Sequence, residues 1–146
     1  MRRLLLPLAV SISPLAWSQT VLLTEHSTLY SKERDIARRF FADDIREADE
    51  LGAASGPLVM DIAVFDLNSD GENEIIGRLL HSSTCGSHGC TFFILCRVNG
   101  VWTDIASAIV EPSSRLTIGN EVVNGFRSFS LGSSGYVFRF ARGKYQ

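Results

Sequence analysis

Residues 91–110 read Thr91-Phe-Phe-Ile-Leu-Cys-Arg-Val98, then Asn99-Gly100, then Val101-Trp-Thr-Asp-Ile-Ala-Ser-Ala-Ile-Val110. Two runs rich in aromatic and β-branched residues flank a dipeptide in which both positions favour φ > 0, the signal of a two-residue hairpin turn. The spacing predicts antiparallel strands over Thr91–Val98 and Val101–Val110. Similar short runs lie on either side, at Leu58–Phe65, Glu74–Leu80, Arg115–Ile118, Gly125–Leu131 and Tyr136–Phe140. Asn124-Gly125 repeats the turn signal, and Pro112 marks an edge or break. Connections this short leave no room for crossover helices, so the sheet is expected to be largely antiparallel.

Upstream the period changes. From Ser31 to Leu51, Ile36, Phe40, Phe41, Ile45, Ala48 and Leu51 recur at about every fourth position, and charged residues fill the other face. Ser31 followed by Glu33 reads as a capped, acid-bearing first turn, and Gly52 as the stop. Gln19–Tyr30 reads as a short lead-in. The fold class expected is therefore α+β, with an N-terminal amphipathic helix packed on a curled, mostly antiparallel β-meander. No repeat or linker divides residues 19–146, which read as a single domain.

Residues 1–18 read as something else. Arg2 and Arg3 precede an apolar stretch, Leu4 to Ala16, and Ala16 and Ser18 occupy the −3 and −1 positions of a cleavage site before Gln19. The stretch is too short to span about 30 Å of hydrocarbon, and Pro7 and Pro14 interrupt it. A cleaved signal peptide and a periplasmic or secreted product are expected, with no integral membrane segment in the mature chain. Its loss leaves 12 basic against 16 acidic residues, which argues against a nucleic-acid partner held by bulk positive charge.

Asp66-Leu-Asn68-Ser-Asp70-Gly71-Glu72-Asn-Glu74 is the most specific chemistry in the chain. Oxygen-bearing side chains at alternate positions converge on one point if the backbone curls, and Gly71 permits the curl. A structural Ca²⁺ wants six to eight oxygens at about 2.3–2.6 Å. Asp66, Asn68, Asp70, the Glu72 carbonyl and the Glu74 carboxylate are the expected metal ligands. The competing reading is a tight turn held by Asx hydrogen bonds without an ion. Gly77 stands where an EF-hand needs its twelfth-position Glu, so the loop is not one.

Cys85-Gly-Ser-His88-Gly-Cys90 has three readings. In an exported chain, two cysteines across a Gly-flanked turn favour a disulfide. A zinc site would use His81, Cys85, His88 and Cys90, and a nucleophilic cysteine would use His88 as base. Cys96, in phase with Phe92 and Ile94, reads as a buried apolar neighbour, with a rearranged Cys90–Cys96 or intermolecular bridge as the competing reading. His26 has no evident partner. Tyr136, Phe138 and Phe140 read as core, beside a small basic cluster of Arg139, Arg142 and Lys144 that reads as a solvated edge, with a binding face as the competing reading.

Taken in order, the acidic loop, Cys85-Gly-x-x-Gly-Cys-Thr91, the Gly125-Phe126-Arg127 turn and the closing Phe-x-Arg-Gly-Lys-Tyr145 resemble a known pattern. It is that of small exported proteobacterial proteins, mostly uncharacterised, in which an FG-GAP-like Asp-x-Asn-x-Asp-Gly-x-x-Glu loop precedes a Cys-Gly-x-x-Gly-Cys segment. That pattern often has Trp-Arg-Asp where this chain has Phe126-Arg127-Ser128. The resemblance implies an exported α+β domain with a disulfide loop and no established activity. The function expected is a non-enzymatic binding, inhibitory or accessory module acting on an envelope or cell-wall-acting protein. The alternative is a small Cys/His-dependent hydrolase or redox protein.

Overall fold

The computed structural model describes residues 18–23, 28–106, 108–111 and 115–146. Residues 1–17, which hold all but the last position of the expected signal peptide, lie outside the described residues, as do His26 and Pro112. The chain runs β1 (Gln19–Leu22), a 3-10 turn (Thr28–Tyr30), α1 (Ser31–Phe40), α2 (Ala42–Glu50), a second 3-10 turn (Ala53–Ser55), β2 (Val59–Phe65) and β3 (Glu74–Leu80). Then follow β4 (Cys85–Gly86), β5 (Gly89–Val98), β6 (Val101–Asp104), β7 (Ala108–Val110), β8 (Arg115–Val123), β9 (Phe126–Leu131), β10 (Val137–Phe138), β11 (Phe140–Ala141) and β12 (Lys144–Tyr145). The class is α+β, every strand pairing is antiparallel, and among the described residues no helix is long and apolar enough to cross a membrane.

One curled meander was expected; the described strands form two larger packed sheets and a two-stranded ribbon, β11–β12. The first has the order β2-β3-β5-β4, with β6 and β7 also paired to β5, and the second has the order β1-β8-β9-β10. Strand alternation explains the layers. Ala63, Ile76, Phe92, Ile94 and Cys96 of the first sheet meet Leu116, Ile118, Phe129 and Leu131 of the second in an inter-sheet core. The opposite parity (Met60, Ile62, Ile75, Leu79, Phe93 and Leu95) packs with Ala37, Phe41 and Ala48 in a helix-side core.

The expected hairpins are present. Asn99 and Gly100 take φ of 51° and 79°, and Asn124 and Gly125 take 50° and 86°, the left-handed pairs that a type I′ turn needs. Several other expectations change. Gln19–Leu22 is a strand, not a lead-in, because its backbone completes the edge of β8. Val101–Val110 is two strands: Asp104 Oδ1 accepts from the N–H groups of Ala106 and Ile94, at 3.0 and 3.2 Å, and turns the chain there. The helix is kinked at Phe41 into two pieces. The Phe41 N–H still reaches the Ala37 carbonyl, and the Phe41 carbonyl accepts from Ile45 N–H. Phe40 and Leu51 are consequently exposed, so the buried stripe is narrower than its periodicity implied. Ser31 does not cap α1, because a 3-10 turn feeds directly into the helix and Tyr30 holds the cap position without a side-chain bond.

Gly77 has a packing reason. A Cβ there would overlap the Phe93 ring and the Asp61 carbonyl, so the centre of β3 must be bare for Phe93 to cross it. Gly77→Ala is expected to lower stability by about 1–3 kcal/mol through overpacking, read as a lower urea midpoint with unchanged m. An unchanged midpoint would contradict this packing.

Candidate functional site

The acidic loop joins β2 to β3. Leu67 is fully buried in the inter-sheet core and anchors it. Ser69 and Gly71, at φ of 59° and 89°, curl the backbone back on itself. Asp66 accepts from the N–H groups of Asp70 (Oδ1, 3.2 Å) and Gly71 (Oδ2, 3.0 Å). Asn68 Oδ1 accepts from Asp70 N–H at 3.1 Å, and Asp70 Oδ1 from Glu72 N–H at 2.7 Å. Asn68 Nδ2 also donates to Asp70 Oδ2 at 2.8 Å. The curl thus brings Asp66, Asn68 and Asp70 together around the loop's own amides. Glu72 points its carboxylate outward, with Oε1 3.4 Å from Arg97 Nη1.

Glu74 does not join them. As the first residue of β3 it shares parity with Ile76 and Arg78, which carries its carboxylate beneath the loop, where it is 2% exposed. Its Oε2 accepts from Leu67 N–H at 2.7 Å. Among the described residues no group of three or more His, Cys, Asp or Glu side chains is gathered for a metal ion. An oxygen-ligated ion in this loop would therefore rest on Asp66, Asn68, Asp70 and the Glu72 carbonyl, with water completing the shell.

The inward turn of Glu74 creates a buried polar cluster that local reading of the sequence missed. Burial pushes the Glu74 carboxyl up to about 7, against the bonds from Leu67 N–H and the Cys96 side chain, and Asp70 and Asp66 add to the rise. Cys96 is pushed up to about 12, by burial first and then by Glu74. Tyr145, 3% exposed, is raised by the same two influences in that order, and its hydroxyl donates to the Arg127 carbonyl at 2.8 Å. Arg127 N–H in turn donates to the Leu67 carbonyl at 2.8 Å. The acidic loop, β9 and the C-terminal hairpin are thereby tied together. Farther along the same β2–β3 pair, Asp61 and Arg78 form a buried cross-strand ion pair.

The cysteine loop is closed as expected. Cys85 and Cys90 are paired across β4 and β5 and joined by a disulfide, which removes the thiolates that the zinc and nucleophile readings require. The histidines do not converge on the cysteines either. His81 is buried, and its Nδ1 accepts from Ser83 N–H at 3.1 Å, while exposed His88 meets the Ser87 hydroxyl at 3.0 Å. Cys96 is free and buried, with no rearranged bridge. At the base of the turn, Gly89 has φ of 125°, and a Cβ there would overlap the Val110 carbonyl, so β7 seats closely against the loop.

A cleft of about 360 Å³ opens beside the turn, lined by His88, Ile109, Glu111, Leu131, Tyr136 and Phe138. Tyr136 is 57% exposed and forms part of its wall, not part of the core as its alternation suggested. The reason is that β10 is only Val137–Phe138, so Tyr136 lies outside the ladder. Tyr145 takes the buried aromatic position instead, against Phe129 with ring centroids 4.8 Å apart.

Between its ordinary value of 4.5 and about 7, Glu74 holds a proton in the folded chain that the unfolded chain has lost. Its contribution is therefore full below about 4.5 and is lost as the pH rises to about 7. Glu74→Gln keeps an acceptor for Leu67 N–H and is expected to abolish this fall, roughly 3 kcal/mol for a shift of that size. Urea unfolding at pH 4.5 and 7.5 checks it; an equal slope in wild type and variant contradicts the burial argument. Comparison with protein-family models, curated proteins and solved structures finds no match.

Proposed function

We propose that this chain is exported to the periplasm or beyond after loss of residues 1–18, and acts there as a non-enzymatic binding module. The turn from Gly86 to His88 is its contact element, and an envelope or cell-wall-acting protein is its partner. The Cys85–Cys90 bridge carries the reading. A bridge of this kind persists in oxidising spaces. Closing so short a loop stabilises by only about 2 kcal/mol in the chain-entropy model, so its larger effect is to fix the shape in which Ser87 and His88 are presented. The adjoining cleft offers a recess beside that protrusion. The alternative Cys/His-dependent enzyme needs a low-pKa thiol; Cys85 and Cys90 are bonded, and buried Cys96 is shifted the other way.

Two readouts test the proposal. The product recovered from cells is expected to begin at Gln19 and, unfolded without reductant, to expose one alkylatable thiol. A photo-cross-linker at position 87 is expected to capture a discrete envelope protein that the same probe at exposed position 43 does not. An intact Met1 with three reactive thiols, or identical products from both positions, contradicts the reading.

The acidic loop is proposed to hold a structural Ca²⁺ through Asp66, Asn68, Asp70 and the Glu72 carbonyl. The convergence of three oxygen-bearing side chains supports this, as does the resemblance to FG-GAP-like loops. At 100-fold excess over Kd such an ion adds about 2.7 kcal/mol, and hence raises Tm by about 5 °C or more. Calcium is expected to give that shift in wild type and none in Asp70→Ala. An unchanged Tm in wild type leaves the loop an Asx-bonded turn.

A further inference from the structure

A second cleft, of about 460 Å³, lies on the helix side of the first sheet and shares no residue with the one beside the disulfide turn. One wall is α1, where Lys32, Ile36 and Arg39 follow i, i+4, i+7 spacing and so share a face. Seven residues separate the two cations, about 10.5 Å along the axis. The other wall is the β5–β6 hairpin, where Arg97 and Trp102 are cross-strand partners. Ile36 and Trp102 pack against the helix-side core and make an apolar floor. Glu33, Glu72 and Asn73 complete a polar rim.

The state of the cations decides what the cleft can take. Among the described residues neither Lys32 nor Arg39 makes an ion pair. Arg97 lies over the Trp102 ring, 5.9 Å from its centroid, and among the described residues its acid partner is Glu72 at 3.4 Å. Those two side chains are 44% and 61% exposed, so their attraction is weak and a ligand carboxylate can replace Glu72.

We infer that this cleft binds a carboxylate-bearing oligosaccharide. A pyranose presents an apolar C–H face suited to the indole and Ile36, and hydroxyls that Glu33, Glu72 and Asn73 can hydrogen-bond. Acid groups repeated along the chain meet Lys32, Arg39 and Arg97. A polyphosphate lacks the apolar face, and an acidic peptide lacks the flat C–H face of a ring bearing both hydroxyls and a carboxylate. This site stands apart from the disulfide turn, so either assignment can fail without the other.

Calorimetric titration of the protein with tetragalacturonate, maltotetraose and inorganic phosphate tests it. Tetragalacturonate is expected to bind, to weaken as salt is added, and to lose about tenfold in affinity when both exposed cations are removed in Lys32→Ala/Arg39→Ala. Maltotetraose and phosphate are expected to bind at least about tenfold more weakly than the acidic sugar. Because Trp102 packs on the core, the helix double variant carries the test, with a circular dichroism spectrum matching the parent. No binding of tetragalacturonate, equal binding of the neutral sugar or of phosphate, or an unchanged affinity in the double variant overturns the assignment.

Discussion

Strand β5 is buried on both of its faces and paired along both of its edges, and the rest of the molecule is arranged around that fact. Phe92, Ile94 and Cys96 enter the inter-sheet core, and Phe93 and Leu95 enter the helix-side core. On its edges it pairs with β3 and β4 on one side and with β6 and β7 on the other. Each large apolar side chain withdrawn from water contributes about 1.5–3 kcal/mol, and here one strand makes that contribution to two layers at once. Its neighbours must conform: β3 gives up a side chain at Gly77 to clear Phe93, and Gly89 lets β7 come close enough to close the far end.

The candidate sites stand at the ends of this strand. The disulfide turn enters it at Cys90, and the Arg97–Trp102 wall of the helix-side cleft lies at its exit. The acidic loop closes the neighbouring β2–β3 hairpin and is held from below by Leu67, by the Glu74 carboxylate and by Arg127 of the second sheet. Loops carried on rigid strands keep a fixed shape at their tips while exposing polar groups to a partner or ion. The buried bonds under the acidic loop leave its upper surface, Asp66, Asn68 and Asp70, with little freedom to rearrange.

Local chemistry was legible in the sequence, and tertiary consequence was not. The Asn99-Gly100 and Asn124-Gly125 turns, the β runs and the Cys85–Cys90 pairing follow from short-range rules on φ, alternation and loop closure. The burial of Glu74 was not legible because its face depends on the register of β3 against β2 and β5, which no local pattern states. The buried Asp61–Arg78 pair was missed for the same reason. Tyr136 left the core and Tyr145 entered it because the C-terminal run breaks into β10 and a small β11–β12 hairpin, where Arg142 and Gly143 take positive φ. A uniform alternation conceals such a break. The separation into two sheets was likewise hidden, since antiparallel runs with short links satisfy a meander and a sandwich equally well.

Native-state hydrogen exchange, resolved amide by amide, addresses the role of β5 most directly. If one strand underlies both cores, the amides from Phe92 to Leu95 exchange only through global unfolding, with opening free energies equal to that of the whole chain. Should they exchange through a smaller opening than the amides of β8 and β9, the second sheet would be the more stable unit, and the arrangement described here would be wrong.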